Sequence, residues 1–192
     1  MKKKDIDTKQ KIVDAAYRVL AEQGYDKTSM KQIAKEAGVA QGLINYYFES
    51  KEDLLFELFH EESCRYSEEL SKLSEIPMSD NFIHEALQVP KQLVMDQPEW
   101  HRLRFELFAI GLRSKRGAQE ITRSSMMDRE QTINELSRLP ISEELNIQGL
   151  ARIITAVMDG LSLQMMVDPE FEADSAYETF AKMLEIYVSK KA

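Results

Sequence analysis

One cysteine, Cys64, stands in 192 residues, so no internal disulfide can form and a reducing, cytoplasmic setting is expected. Glycine and proline are scarce, seven and five. They fall where helices should stop, which leaves little room for the frequent turns of an all-β chain. There are three histidines. His60 and Cys64 have helical spacing, but two such side chains do not make a metal cluster, and no metal is expected. A glycine-rich phosphate loop, a G-x-S-x-G elbow and a catalytic carboxylate pair are all missing, so neither an enzyme nor a cofactor is expected. No stretch reaches about 18 uncharged apolar residues, which argues against a membrane span. The MKKK start is basic but lacks a following apolar core, so it does not read as a signal peptide. It fits either an arm that seeks phosphates or a solubilising tail.

Apolar residues make up 43% of the chain and charged ones 30%, enough for a core without staples. The net charge is −8. It is unevenly spread: residues 1–50 hold nine Lys/Arg against seven Asp/Glu, a balance of +2, and the remainder carries −10. A mildly basic first quarter permits a polyanion partner that the total would disfavour.

The periodicity predicts an all-α fold of about nine helices. Ile12, Ala15, Ala16, Val19 and Leu20 form one stripe on a first helix from about Thr8 to Gln23, with Gly24 as its left-handed cap. Thr28 or Ser29 should cap a short second helix whose inner face is Met30, Ile33, Ala34 and Ala37. Gly38 ends it, and a third helix runs from near Ala40 to about Tyr47. Ser50 with Asp53 opens a long fourth helix reaching about residue 74. Asp80 should cap the next, Pro90 should kink or break it, and Pro98 suits the first turn of another. A further helix covers about 117–138. The run 147–167 is apolar on most sides and should be buried on most sides. A last helix spans about 175–189.

The second and third helices with their tight turn form a helix-turn-helix. Ala34 is small at the crossing, Gly38 supplies the backbone freedom of the turn, and Val39 and Ile44 plug the angle. The third helix can then enter a major groove by its N-terminal end. Gln41 has the shape for an adenine edge, Gly42 lets the backbone approach, and Asn45 lies one turn on. Tyr46 and Tyr47 can donate to phosphates, although Tyr47 fits packing against the first helix equally well. Lys51, in the first turn of the fourth helix, suits a phosphate. Thr28 and Ser29 are placed for the other strand.

The run TSMKQIAKEAGVAQGLINYYFESKEDLL, residues 28–55, resembles the TetR family of bacterial transcription regulators. The likeness covers roughly the first 60 residues. It implies a three-helix DNA-binding domain over 1–50 and a helical ligand-binding and dimerisation domain over 51–192. Phosphate contacts fall on Thr28, Tyr46, Tyr47 and Lys51, and groove-facing positions on Ala40, Gln41, Gly42 and Asn45. Asn45 stands where the family more often has Tyr, and Ala40 where it has Ser. The resemblance further implies a homodimer through helices 147–167 and 175–189, and repression relieved by a small-molecule effector. An activator, or a DNA-binding protein without effector, is the alternative. The segment 158–171 is also similar to the C-terminal region of choline-responsive betaine-pathway repressors within that family.

For the effector, expected to be partly apolar, the candidate lining is Met95, Trp100, His101, Arg104, Phe105, Phe108, Met126 and Met158. Each fits a plain core role as well. Arg104 can hold an anionic headgroup or pair with Glu99 or Glu106. Asp159, inside the apolar run, can meet a cationic ligand, Arg152 or a second subunit. Gly160 should allow close helix approach.

Overall fold

The computed structural model describes residues 3–141 and 145–189, with side chains from residue 7 onward. Among the described residues there are nine α-helices, one 3₁₀ turn and no strand. In order they are α1 (Lys3–Gln23), α2 (Met30–Ala37), α3 (Gln41–Tyr47), α4 (Lys51–Ser71), the 3₁₀ turn (Lys72–Glu75), α5 (Phe82–Asp96), α6 (Pro98–Gly111), α7 (Lys115–Leu136), α8 (Ile147–Val167) and α9 (Ala173–Ser189). The all-α expectation holds, and α8 has the bounds that its apolar run suggested. The backbone of α1 begins five residues ahead of Thr8, since no breaker precedes it. The arm-or-tail question at MKKK lies outside the described residues and side chains.

One local expectation fails around α5 and another is narrowed. Its N-cap is Asn81, without a side-chain bond, in place of Asp80. Ser79 Oγ instead accepts from the Asn81 N–H at 3.2 Å. Pro90 does not end the helix, which runs from Phe82 to Asp96 through it. A proline removes one backbone donor, and α5 packs on both α8 and α9, so tertiary contact outweighs that local cost.

The chain forms two compact units. One holds Met1–Cys64 with Arg102–Ile121, the other Arg65–His101 with Thr122–Ala192. This division differs from a boundary at 50/51. The first turns of α4 belong with the first unit, here called the head, because Leu54, Leu55, Leu58 and Phe59 are almost fully buried. The Lys9 ammonium pairs with Glu57, and Gln10 Nε2 donates to Glu61 at 2.7 Å. Burying four large apolar side chains is worth roughly 1.5–3 kcal/mol each, more than any surface pair in the unit.

In the second unit Leu87 of α5, Leu150, Ala151 and Ile154 of α8, and Tyr177, Phe180, Ala181 and Leu184 of α9 form one core. Polar ties frame it. The His84 ring lies between Glu178 at 3.0 Å and Glu185 at 3.3 Å, and Lys91 pairs with Asp174. Arg138 donates to the carbonyls of Leu73 at 2.9 Å and Ile76 at 2.6 Å, which fastens the chain after the 3₁₀ turn.

Tyr177 is a costly member of this core. It has no exposure, and its hydroxyl has no hydrogen-bond partner among the described residues. Burial pushes the phenol up to about 12 from an ordinary value of 10.0. Below pH 10 both states keep the proton. Between about pH 10 and 12 the unfolded chain ionises first, so folding loses about 2–3 kcal/mol across that window. Tyr177→Phe is expected to be at least as stable as the parent at pH 7, because a buried unpaired hydroxyl costs roughly 1–3 kcal/mol. Its advantage should widen in urea melts above pH 10. A variant less stable than the parent at every pH would mean the hydroxyl is held.

The expectation that α8 is buried on most sides does not hold for one chain. Leu150, Ala151, Ile154 and Ser162 are buried. Ile153, Ala156, Gly160, Leu163 and Val167, spaced alternately three and four apart, are exposed. Ile153 is 59% and Val167 67% exposed. Nothing lies within 4 Å of where a Gly160 Cβ would stand. On α9, Met183, Ile186 and Tyr187 are exposed too. By length and composition α8 is apolar enough to cross a membrane, although Arg152 and Asp159 lie within it.

Candidate nucleic-acid interface

The turn between α2 and α3 has a defined local chemistry. Ser29 caps α2, its hydroxyl accepting from the Gln32 N–H at 3.3 Å, while the Gln32 side chain accepts from the Ser29 N–H at 2.8 Å. This reciprocal pair settles the Thr28-or-Ser29 choice for Ser29. At the other end Gly38 has φ +67°, the left-handed region a side chain resists. The Val39 N–H then reaches the Ala34 carbonyl at 3.0 Å, closing the helix end. Ala34 is 4% exposed at the crossing and Ile44 is fully buried beneath α3.

With Ile44 pinned inward, the rest of α3 is presented outward. Ala40, Gln41, Gly42 and Asn45 are exposed, and Tyr46 is 78% exposed. The Tyr46 and Tyr47 rings meet edge to face at 5.0 Å, with Tyr47 half-buried. Phe48 is core at 3% exposure. Ser29 is exposed, as are Lys31 and Lys35, one turn apart on α2. Ser50 and Asp53 start α4 as expected, the Asp53 N–H donating to Ser50 Oγ at 3.0 Å.

Two phosphate candidates sit otherwise than their residue type suggested. Thr28 is 3% exposed, and its hydroxyl donates to the Gly24 carbonyl at 2.7 Å. Its side chain fastens the loop between α1 and α2. Lys51 is half-buried, and its ammonium donates to the Tyr25 carbonyl at 2.6 Å and the Thr28 carbonyl at 2.8 Å. It also lies 3.9 Å from the centre of the Tyr25 ring. An ammonium has three donors, so one remains.

Sequence reasoning missed what holds this loop from the far side. The Tyr25 N–H donates to Glu106 Oε2 of α6 at 2.9 Å. Burial, then Glu52 and Asp26, push the Tyr25 phenol above its ordinary value. Nothing local marks Tyr25 or Glu106, because they are far apart in the chain. Ser114 Oγ donates to Glu52 at 2.7 Å, and Arg116 pairs with Asp53, so the first turn of α4 is also tied to the α6–α7 turn.

The candidate effector lining is divided between the two units, three residues in the first and five in the second. Met95 and Met126 are exposed, at 59% and 46%. Met158 packs on the α5–α8–α9 core. In the second unit Trp100 and His101 are buried, and the His101 ring meets Tyr66 edge to face at 5.7 Å. In the first unit Arg104 is 5% exposed with its guanidinium 5.1 Å from the Phe108 ring centre, and Phe105 meets Phe108 at 5.8 Å. Asp159 is half-buried. Among the described residues no cluster of His, Cys, Asp and Glu could hold a metal ion.

Residues 12–58 match the family model described as bacterial regulatory proteins, tetR family. The fatty acid metabolism regulator protein of Bacillus subtilis (strain 168) is 46% identical over 61 residues, 32% of this chain and 31% of that protein, so the match spans under a third of its length. The nicotine-responsive transcriptional repressor HdnoR of Paenarthrobacter nicotinovorans is 26% identical over 175 residues, covering 85% of this chain and 86% of the relative. Among solved structures, the fatty acid degradation regulator FadR from Bacillus halodurans superposes with a TM-score of 0.69 at 26% identity, over 92% of this chain and 93% of that one.

Proposed function

We propose that this chain, whose residues 12–58 match the model of the tetR family of bacterial regulatory proteins, is a ligand-responsive transcriptional repressor. It holds a pseudo-palindromic operator as a homodimer and lets go when a small, partly apolar effector binds. The observation that carries this reading is α3, a short helix with one buried side chain, Ile44, and a polar, aromatic remainder turned to solvent. A helix that buries so little of itself is stabilised as a surface for something else.

In this reading residues 1–50, together with Lys51, contact DNA, and the rest of 51–192 takes the effector and the second subunit. Ser29, Tyr46, Tyr47 and Lys51 meet phosphates, with Thr28 shaping the loop beside them. Ala40, Gln41, Gly42 and Asn45 face the groove. The open stripe of α8 with the exposed face of α9 supplies the dimer seam, and the nicotine-responsive relative supports effector control. Effector binding shifts the population between two spacings of the recognition helices, with α4 as the lever.

Selection of duplexes from a random pool tests the whole reading. Two half-sites whose centres lie about 34–36 Å apart, or a multiple of that, are expected. Enrichment of single half-sites, or of none, would contradict it. On the selected duplex Gln41→Ala is expected to relax preference at one base pair by about 1–3 kcal/mol while other positions keep theirs. An unchanged preference removes Gln41 as the reader.

A further inference from the structure

The head unit owes its sign of charge to a segment far along the chain. Residues 1–64 carry ten Lys/Arg against twelve Asp/Glu. Residues 102–121 carry five against two and fold into the same unit, turning its balance from −2 to +1. The remainder of the chain stands at −9. Four of the five added cations are outward: Arg102, Arg113, Lys115 and Arg116 are exposed, and Arg104 is buried. Three of the exposed four fall in the run L-R-S-K-R, residues 112–116, which forms the α6–α7 turn with the first residues of α7, beside Leu112 at 89% exposure.

This turn is held in place. Gly117 lets α7 approach α6, since a Cβ there would stand 2.9 Å from the Gly111 Cα and 3.1 Å from Phe56 of α4. The Ser114 hydroxyl donates to Glu52 and accepts from the Gly117 N–H at 3.2 Å. Arg116 pairs with Asp53 and lies 5.5 Å from the Phe56 ring centre. Glu52 and Asp53 follow Lys51 in the first turn of α4, directly after α3. The turn therefore covers two carboxylates that would repel a phosphate and sets two further cations, Arg113 and Lys115, at the same end of the head.

We propose that the α6–α7 turn, through Arg113 and Lys115, is a second DNA-backbone contact of each subunit, outside the helix-turn-helix. The inference rests on the DNA-binding reading above. It adds affinity without sequence preference, because a phosphate is the same at every base pair. It also places the segment that binds Tyr25 through Glu106 in direct contact with the operator.

Arg113→Gln with Lys115→Gln removes both charges from exposed positions and leaves Arg116 on Asp53. With a duplex selected by the parent protein, the slope of log affinity against log salt should become shallower by about two per chain. Affinity near 0.15 M salt should fall tenfold or more, with base preferences unchanged. Arg113→Glu with Lys115→Glu should lose more. A parent that binds the duplex while both variants keep its slope overturns this inference and leaves the DNA-binding reading standing. A parent that binds no duplex overturns both. An unchanged DNA slope with weakened capture by phosphatidylglycerol vesicles would assign the turn to an anionic membrane instead.

Discussion

Ile153→Glu combined with Ile186→Glu is expected to yield a folded monomer that binds operator about a hundredfold or more weakly. Both side chains are exposed in the single chain, at 59% and 55%, so neither charge is forced into the core. In a two-fold seam each residue occurs twice, so four apolar anchors become four carboxylates facing one another. Each lost anchor is worth roughly 1.5–3 kcal/mol before the cost of burying charge is added. Operator affinity falls with it because two linked heads bind about 10²–10⁴ times better than one. Sedimentation reads the assembly state, and titration of the selected duplex reads the affinity. A variant that still sediments as a dimer would place the seam elsewhere and leave the α8 stripe unexplained.

Lys51→Met ranks second. The ammonium closes two loop carbonyls, and hydrogen bonds to a charged group are worth roughly 1.5–3 kcal/mol each. Methionine keeps the stem against Tyr25 and removes the donors. The head is expected to lose about 3 kcal/mol or more in stability, with faster amide exchange over residues 24–29. Operator affinity should fall for every sequence alike, with a salt slope shallower by about one per chain through the third donor. Lost stability with an unchanged slope would make Lys51 a loop clamp and no phosphate contact. Full stability would deny the two carbonyl bonds their weight.

Much of the head was legible because its signals are local. Ser29 with Gln32, Gly38 at positive φ, and Ile44 against an otherwise polar helix are all decided within a few residues of chain. The apolar run of α8 was equally plain. Its open stripe was not, because composition says how apolar a helix is and not how many neighbours one chain can give it. The loop partners of Thr28 and Lys51 escape the sequence for a related reason. Residue type suggested phosphate ligands, whereas burial and two nearby carbonyls show that the loop uses them first. Met95 and Met126 were grouped with buried aromatics on chemistry alone, and their exposure separates them.

By itself the sequence determined an all-helical chain, the helix-turn-helix and the outward residues of α3. Helix period, caps and a tight turn are properties of short segments. Only the tertiary structure decided that residues 102–121 join the head, that Glu106 holds Tyr25, and that Arg116 covers Asp53. Those pairings join residues 63 and 81 positions apart, and no local free energy selects them. Close packing between distant segments, such as Phe56 of α4 against Gly117, does.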